Sequence, residues 1–240
     1  MSPDAAFSPT RWSLISAARS GDPPRATQAL ESLCQAYWYP LYAYVRRLGH
    51  PHEDAADLTQ GFFAQFMEKE MFTRADPERG RLRNFLLTAI QRFLRDDWRK
   101  QQRQKRGGGV ALLSIDEVTA EGLYAREPAD VTTPETLYHR RWALTLLERT
   151  VLALQADYTQ QGKAALFDAL KPALTEDPDA ASAAETGALL GMSPGAVRVA
   201  VTRLRARYRA RLLSEVAASM DAQTEAEVDE EIAALFRALS

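Results

Sequence analysis

The sequence predicts an all-α chain built as two small helical domains. Three observations carry that expectation. Apolar residues recur at steps of three and four in every long segment, the spacing of an amphipathic helix, and no run alternates with period two. A Gly107-Gly108-Gly109 break is followed by about 28 residues of weak periodicity containing Pro128 and Pro134, which reads as a flexible linker over 107–135. Charge is also sorted along the chain, although the formal net charge of the 240 residues is only -2.

The elements follow in order. Trp12, Leu14, Ile15 and Ala18 suggest a short first helix, and Pro23-Pro24 opens a second through Cys34, Tyr37 and Trp38. Pro40 is expected to break or kink it, because proline removes a backbone donor. Leu41, Tyr44, Val45 and Leu48 continue the stripe until Gly49. Segment 53–69 places Leu58, Phe62, Phe63, Phe66 and Met67 on one face. Segment 81–98 does the same with Leu82, Phe85, Leu86, Ala89, Ile90, Phe93, Leu94 and Trp98, and MFTRADPERGR between them reads as a loop. Helical patterning resumes from Pro134 to about 157, and again at 161–174.

Segment 181–212 has the grammar of a helix-turn-helix. Ala184, Ala188 and Leu189 supply the apolar face of a short first helix, ended by Gly191. Ser193 is a good N-cap and Pro194 suits the first helical position. The second helix is expected to bury Val197, Val201, Leu204, Tyr208 and Leu212. That leaves Ser193, Arg198, Val199, Thr202 and Arg203 open near its start, where a recognition helix meets base edges. Arg205, Arg207, Arg209 and Arg211 lie further along, better placed for phosphates.

Residues 92–106 hold seven Lys/Arg against two Asp, and residues 193–213 hold six Arg and no acid. The segment 107–138 sums to -5 and the tail 214–240 to -6. Blocks of this size mark interaction surfaces. The near-neutral total therefore reads as two DNA-facing surfaces cancelled by two acidic segments. In the tail, Val228, Ile232, Leu235, Phe236 and Leu239 form an apolar stripe, expected to fold back on the Arg-rich helix of 194–213 and limit DNA binding.

Several classes fall away. Cys34 is the single cysteine, so no internal disulfide forms, and three histidines with one cysteine make a metal site unexpected. No run of about 18 uncharged apolar residues suits a membrane span, and MSPDAAFSPTRWSL lacks the pattern of a signal peptide, so a cytoplasmic location without membrane insertion is expected. No Gly-rich phosphate loop or nucleophile elbow is present. Asp96 and Asp97 diverge by about 100° on a helix and cannot act as a carboxylate pair. The chain is expected to be neither an enzyme nor a cofactor carrier.

The run Glu185-Thr186-Gly187-Ala188-Leu189-Leu190-Gly191-Met192-Ser193-Pro194-Gly195-Ala196-Val197-Arg198 resembles the region 4 helix-turn-helix of sigma-70-family RNA polymerase sigma factors. LCQAYWYPLYAYVRRLG with HEDAADLTQGFFAQFMEK, and RLRNFLLTAIQRFLRDDWRKQQR, resemble parts of their region 2. Two domains without a region 3 domain is the arrangement of the extracytoplasmic-function group (ECF, group IV). The resemblance covers about 27–106 and 140–213. It implies a region 2 domain at 1–106, a linker at 107–135, a region 4 domain at 136–213 and an acidic extension at 214–240. Thr186 and Gly187 stand where the family usually has Ile-Ala, and a glycine there is expected to weaken the first helix by about 1 kcal/mol.

The resemblance also implies roles. Asp54, Asp57, Gln60 and Phe63 would dock on the β′ clamp helices of core RNA polymerase, with the β flap as a second polymerase contact of the protein. Arg81, Arg83, Asn84, Arg92, Arg95, Arg99 and Lys100 would read and melt the −10 element, while Ser193, Arg198, Val199, Thr202, Arg203 and Arg205 would read the −35 element. The acidic linker would thread toward the polymerase cleft. Thr59 is a candidate phosphorylation site, since some members are linked to Ser/Thr kinases, and an anti-sigma factor stays open as a further partner. The rival reading is a stand-alone helix-turn-helix regulator, which would have no need of 27–106.

Overall fold

A computed structural model of the chain describes residues 15, 18, 22–68, 71–74, 81–101, 117–127, 133–177, 179–220 and 224–239. All regular structure among these residues is helical: α1 Pro23–Arg47, α2 His52–Glu68, a 3₁₀ turn Met71–Arg74, α3 Leu82–Gln101, α4 Glu117–Tyr124, α5 Pro134–Gln160, α6 Ala164–Leu170, a 3₁₀ turn Lys171–Leu174, α7 Ala180–Leu190, α8 Pro194–Met220 and α9 Glu225–Leu239. Two compact units result, one of Met1–Thr145 with Val216–Ser240 and one of Leu146–Glu215.

In the first unit the aromatic residues make the core. Phe62, Phe63, Phe66, Leu82, Leu86 and Ile90 are buried, as are Tyr37, Trp38, Leu41, Tyr42 and Val45 of α1. Phe62 meets Phe63 at 5.2 Å and Phe93 at 5.9 Å, ring centre to centre, in edge-on arrangements. This packing overrides the expected break at Pro40. The residue lies buried inside one unbroken helix, because burying nearly every side chain from Leu33 to Val45 outweighs one absent backbone bond. Burial also pushes the Cys34 thiol up to about 12, helped by Glu31, so the lone cysteine is a core residue.

The expected linker is in part structured. α4 lies inside 107–135, and its Glu121 is clasped by Arg46 through Nε (3.0 Å) and Nη2 (2.6 Å). Tyr42 donates to the same carboxylate at 2.6 Å, and these hydrogen bonds hold the Glu121 pKa below its ordinary value. Glu127 accepts from Tyr39 at 3.0 Å and pairs with Arg141. Glu135 accepts from Tyr44 and Gln91, both at 3.3 Å. The acidic side chains thus fold onto α1 because its tyrosines and Arg46 offer donors. The start of α5 joins the same unit, with Thr133 capping it through the Thr136 N–H (3.0 Å) and with Leu137, Tyr138, Trp142 and Ala143 buried. The second unit therefore begins at Leu146 and not at 136.

The core of the second unit is Leu154, Tyr158, Phe167, Leu170, Ala173, Ala183, Val197, Val201 and Leu204. Asp179 caps α7, accepting from Ser182 N at 2.7 Å. Gly191 then turns left-handed (φ 65°), so that the Met192 N–H reaches back to the Gly187 carbonyl at 2.8 Å. The buried face of α7 differs from the expected one. Leu189 is 77 % exposed and Ala184 and Ala188 are exposed, while Ala183 and Gly187 face inward. The reason is the turn: α7 packs its last full turn against the chain at Met192, and only a residue without a side chain fits. A Cβ on Gly187 would stand 2.6 Å from the Met192 carbonyl oxygen. Glycine at this position is thus a packing requirement, where the sequence suggests a weak point.

A Gly→Ala change inside a helix ordinarily stabilises by about 1 kcal/mol. Gly187→Ala is expected to do the opposite, costing roughly 1–3 kcal/mol through the backbone clash. Thermal melts of the two forms decide it, and an equal or higher melting temperature for the variant would refute the clash.

Candidate nucleic-acid interface

The first candidate surface is the open side of α3. Asn84, Thr88, Arg92 and Arg95 are exposed and share one face at steps of four, four and three. Trp98, the last residue of the apolar stripe read from the sequence, continues this face and is 62 % exposed. An exposed indole beside guanidinium groups suits stacking on a base whose phosphates the arginines hold. The side chains of Arg99 and Lys100 lie outside the described residues.

Arg81 and Arg83 sit apart from that face. Arg83 is only 6 % exposed. It pairs with Glu231 of α9, and its guanidinium lies 4.2 Å from the centre of the Trp142 ring. Its backbone carbonyl accepts from the Tyr138 hydroxyl at 2.9 Å. Arg81 Nε approaches the other Glu231 oxygen at 2.8 Å. Both expected −10 contacts are therefore engaged inside the unit. The acidic tail is corrected likewise: its helix belongs to the first unit and pairs with Arg81 and Arg83, where the sequence pointed to the Arg-rich helix α8. Arg81, Arg83, Asn84, His139, Trp142 and Arg237 line a cavity of about 340 Å³ beside this cluster. Burial, and then Arg81, hold the Arg83 pKa down to about 10, and burial, Arg83 and Arg81 hold His139 down to about 4.

The second candidate surface is the start of α8. Ser193 Oγ accepts the Ala196 N–H at 3.2 Å, as an N-cap should. Arg198, Val199, Thr202 and Arg203 are exposed together on the following turns. The Thr202 hydroxyl is turned back to the Arg198 carbonyl at 3.0 Å, presenting its methyl group. Arg205 does not join them. Its fork donates to Ala173 O (2.7 Å), Glu176 O (2.9 Å) and Asp177 Oδ1 (2.6 Å). It ties α8 to the chain end left by the 3₁₀ turn Lys171–Leu174, so the expected DNA contact is a positioning residue. Arg207 stacks over Tyr158 at 5.3 Å, and Arg211 faces Asp157 and Glu215.

The third candidate surface is α2. Asp54 and Asp57 are exposed and Gln60 is half-exposed, within one third of the helix circumference. Phe63 is 1 % exposed and belongs to the aromatic core, so it is withdrawn as a docking residue. Thr59 is withdrawn as a phosphorylation site in this fold. It is fully buried and its hydroxyl donates to Ala55 O at 2.7 Å, out of reach of a kinase. Among the described residues no group of three or more His, Cys, Asp or Glu could hold a metal ion, and no helix is long and apolar enough to cross a membrane.

An all-α chain with a basic helical face in one unit and a helix-turn-helix in the other is, by class, a DNA-binding transcription factor. The family model for ECF sigma factors matches residues 12–214, and the chain belongs to that family. Neither the comparison with curated proteins nor that with solved structures returns a match. As a sigma factor, the protein acts in transcription initiation, which implies core RNA polymerase and promoter DNA as partners.

Two outcomes are expected. His139 has its folded pKa depressed below the ordinary 6.5, so its contribution to stability is complete above pH 6.5 and is lost as pH falls toward 4. Urea midpoints taken from pH 7.5 to 4 should fall less steeply for His139→Asn than for the wild type; parallel slopes would contradict this. Arg205→Lys should lower the melting temperature of the second unit while leaving the salt slope of duplex binding unchanged. Arg203→Lys should leave the melting temperature unchanged and weaken binding.

Proposed function

We propose that this sigma factor directs core polymerase to promoters through three separate helical faces. Asp54, Asp57 and Gln60 on α2 contact the β′ clamp helices of core polymerase, while the β flap meets the second unit. Arg198, Val199, Thr202 and Arg203, with Ser193 at the helix start, enter the major groove of the −35 element. Arginines there pair with guanine acceptors or phosphates, and the Val199 and Thr202 methyls suit thymine. Asn84, Arg92, Arg95 and Trp98 take the opened −10 strand. A flipped base stacks on the indole and its neighbouring phosphates meet the guanidinium groups, which offsets unstacking of a few kcal/mol.

The observation that carries this reading is the exposed Trp98 on the same face as Arg92 and Arg95. A regulator that only grips duplex DNA has no use for such a stacking face. A sigma factor, which must hold a single strand, does.

Run-off transcription with core polymerase tests it. Promoter-directed initiation is expected only with the protein present. Trp98→Ala is expected to reduce open-complex formation about 10- to 100-fold, from a loss of about 1–3 kcal/mol per stacked base. Closed-complex affinity should hardly change. No directed initiation from any promoter would refute the reading, and equal losses in closed and open complexes for Trp98→Ala would move that residue out of the melting step.

A further inference from the structure

α9 is held in part by charge. Of its 15 residues only Glu231 and Leu235 are fully buried. Val228, Ile232 and Leu239 are half-buried, and Phe236 is exposed. A helix that seats one leucine and one carboxylate depends on what the carboxylate meets. Glu231, with no exposed surface, meets Arg81 and Arg83, one guanidinium on each oxygen. Two guanidinium groups around two anionic oxygens is also the geometry in which arginines hold a phosphodiester. The pair stands at the first turn of α3, next to Asn84, where the exposed face of Arg92, Arg95 and Trp98 begins. The adjoining cavity adds Arg237 and His139, and among the described residues no acidic one lines it. Glu231 thus sits between two guanidinium groups, with Glu135 near His139 as a second carboxylate, in a place with room for a larger anion.

We propose that α9 is a displaceable internal ligand of the first unit, its Glu231 carboxylate occupying the seat of a −10-strand phosphate between Arg81 and Arg83. Single-stranded DNA and α9 then compete for one site. The docked helix keeps the free protein from gripping DNA strands indiscriminately, and a strand already held by Trp98, Arg92 and Arg95 gains Arg81 and Arg83 when α9 leaves. The inference rests on the reading of α3 as the strand-binding helix.

The test uses the full-length chain and a fluorescein-labelled single-stranded DNA twelve-mer of random sequence. If α9 is docked about nine-tenths of the time, E231Q should bind the oligonucleotide about tenfold more tightly. Its log-log salt slope should steepen by one to two, since two arginines are freed for phosphates. Hydrogen exchange on the wild-type chain supplies a second readout that needs no variant. Saturating oligonucleotide should strip protection from 225–239 while α1 and α2 keep theirs. Equal affinity for wild type and E231Q, with 225–239 still protected at saturation, would overturn the proposal and leave the reading of α3 intact. Absence of binding by either chain at low salt overturns the proposal together with that reading. Should E231Q misfold, the exchange experiment alone decides.

Discussion

The guanidinium of Arg83 is the contact on which the first unit turns. It lies inside the protein, between the Glu231 carboxylate and the Trp142 ring, while its backbone carbonyl receives the Tyr138 hydroxyl. Three stretches distant in sequence, α3, α5 and α9, meet on this residue. A buried cation is costly unless its partners are well placed, and removing one partner from such a pair typically costs about 3–5 kcal/mol. The arrangement therefore makes the chain's last helix conditional. Glu231 pairs the Arg83 charge while the Arg83 Nε stays without a hydrogen-bond partner, and under the proposed displacement another anion or water would take the place of Glu231. The lowered pKa of Arg83 and of His139 beside it both report positive charge that is crowded and poorly hydrated.

The same logic governs the acidic residues of the middle of the chain. Glu121, Glu127 and Glu135 are tied to tyrosine hydroxyls and arginines of the first unit. Their charge is spent within that unit. Arg198 and Arg203 of the second unit are exposed near the start of α8. The near-zero net charge of the chain therefore hides a local sorting: Glu121, Glu127 and Glu135 are engaged inside the first unit, while Arg92 and Arg95 on α3 and Arg198 and Arg203 on α8 stay exposed. Electrostatic attraction to DNA acts through such local fields, on the scale of a Debye length of about 8 Å, and not through the total charge.

Much of this was legible in the sequence, and the failures have physical causes. The amphipathic stripes of α2, α3 and α8 are regular enough that burial of Phe62, Leu86 and Val201 follows from spacing alone. Pro40 misleads because propensity is a weak prior against a helix packed on nearly all sides. Trp98 lies at the end of its stripe, where a residue matches the periodicity after the core has run out. Block charge misleads about the partner of the tail, because it ranks the Arg-rich α8 first. The finer signal was present in both helices. Glu231 interrupts the apolar stripe of Val228, Ile232 and Leu235, and Arg83 falls on the buried side of Leu86, Leu87 and Ile90. A charge on an apolar face needs an opposite charge on another, and that rule pairs these two residues where net charge does not.

The second unit shows the complementary case, in which residues that carry no recognition chemistry determine whether recognition is possible. Base reading needs side chains held to within a fraction of an ångström, so a recognition helix must be fixed along its length as well as at its start. Gly187 fixes the start, since only a bare α-carbon allows α7 to close on the Met192 carbonyl and set the angle at which α8 departs. Arg205 fixes the middle by binding two backbone carbonyls and one carboxylate of the segment before α7. Its guanidinium is worth more there than on a phosphate. A phosphate contact adds affinity to every sequence alike, whereas an anchor two turns from Arg198 orients the side chains proposed to tell one base from another.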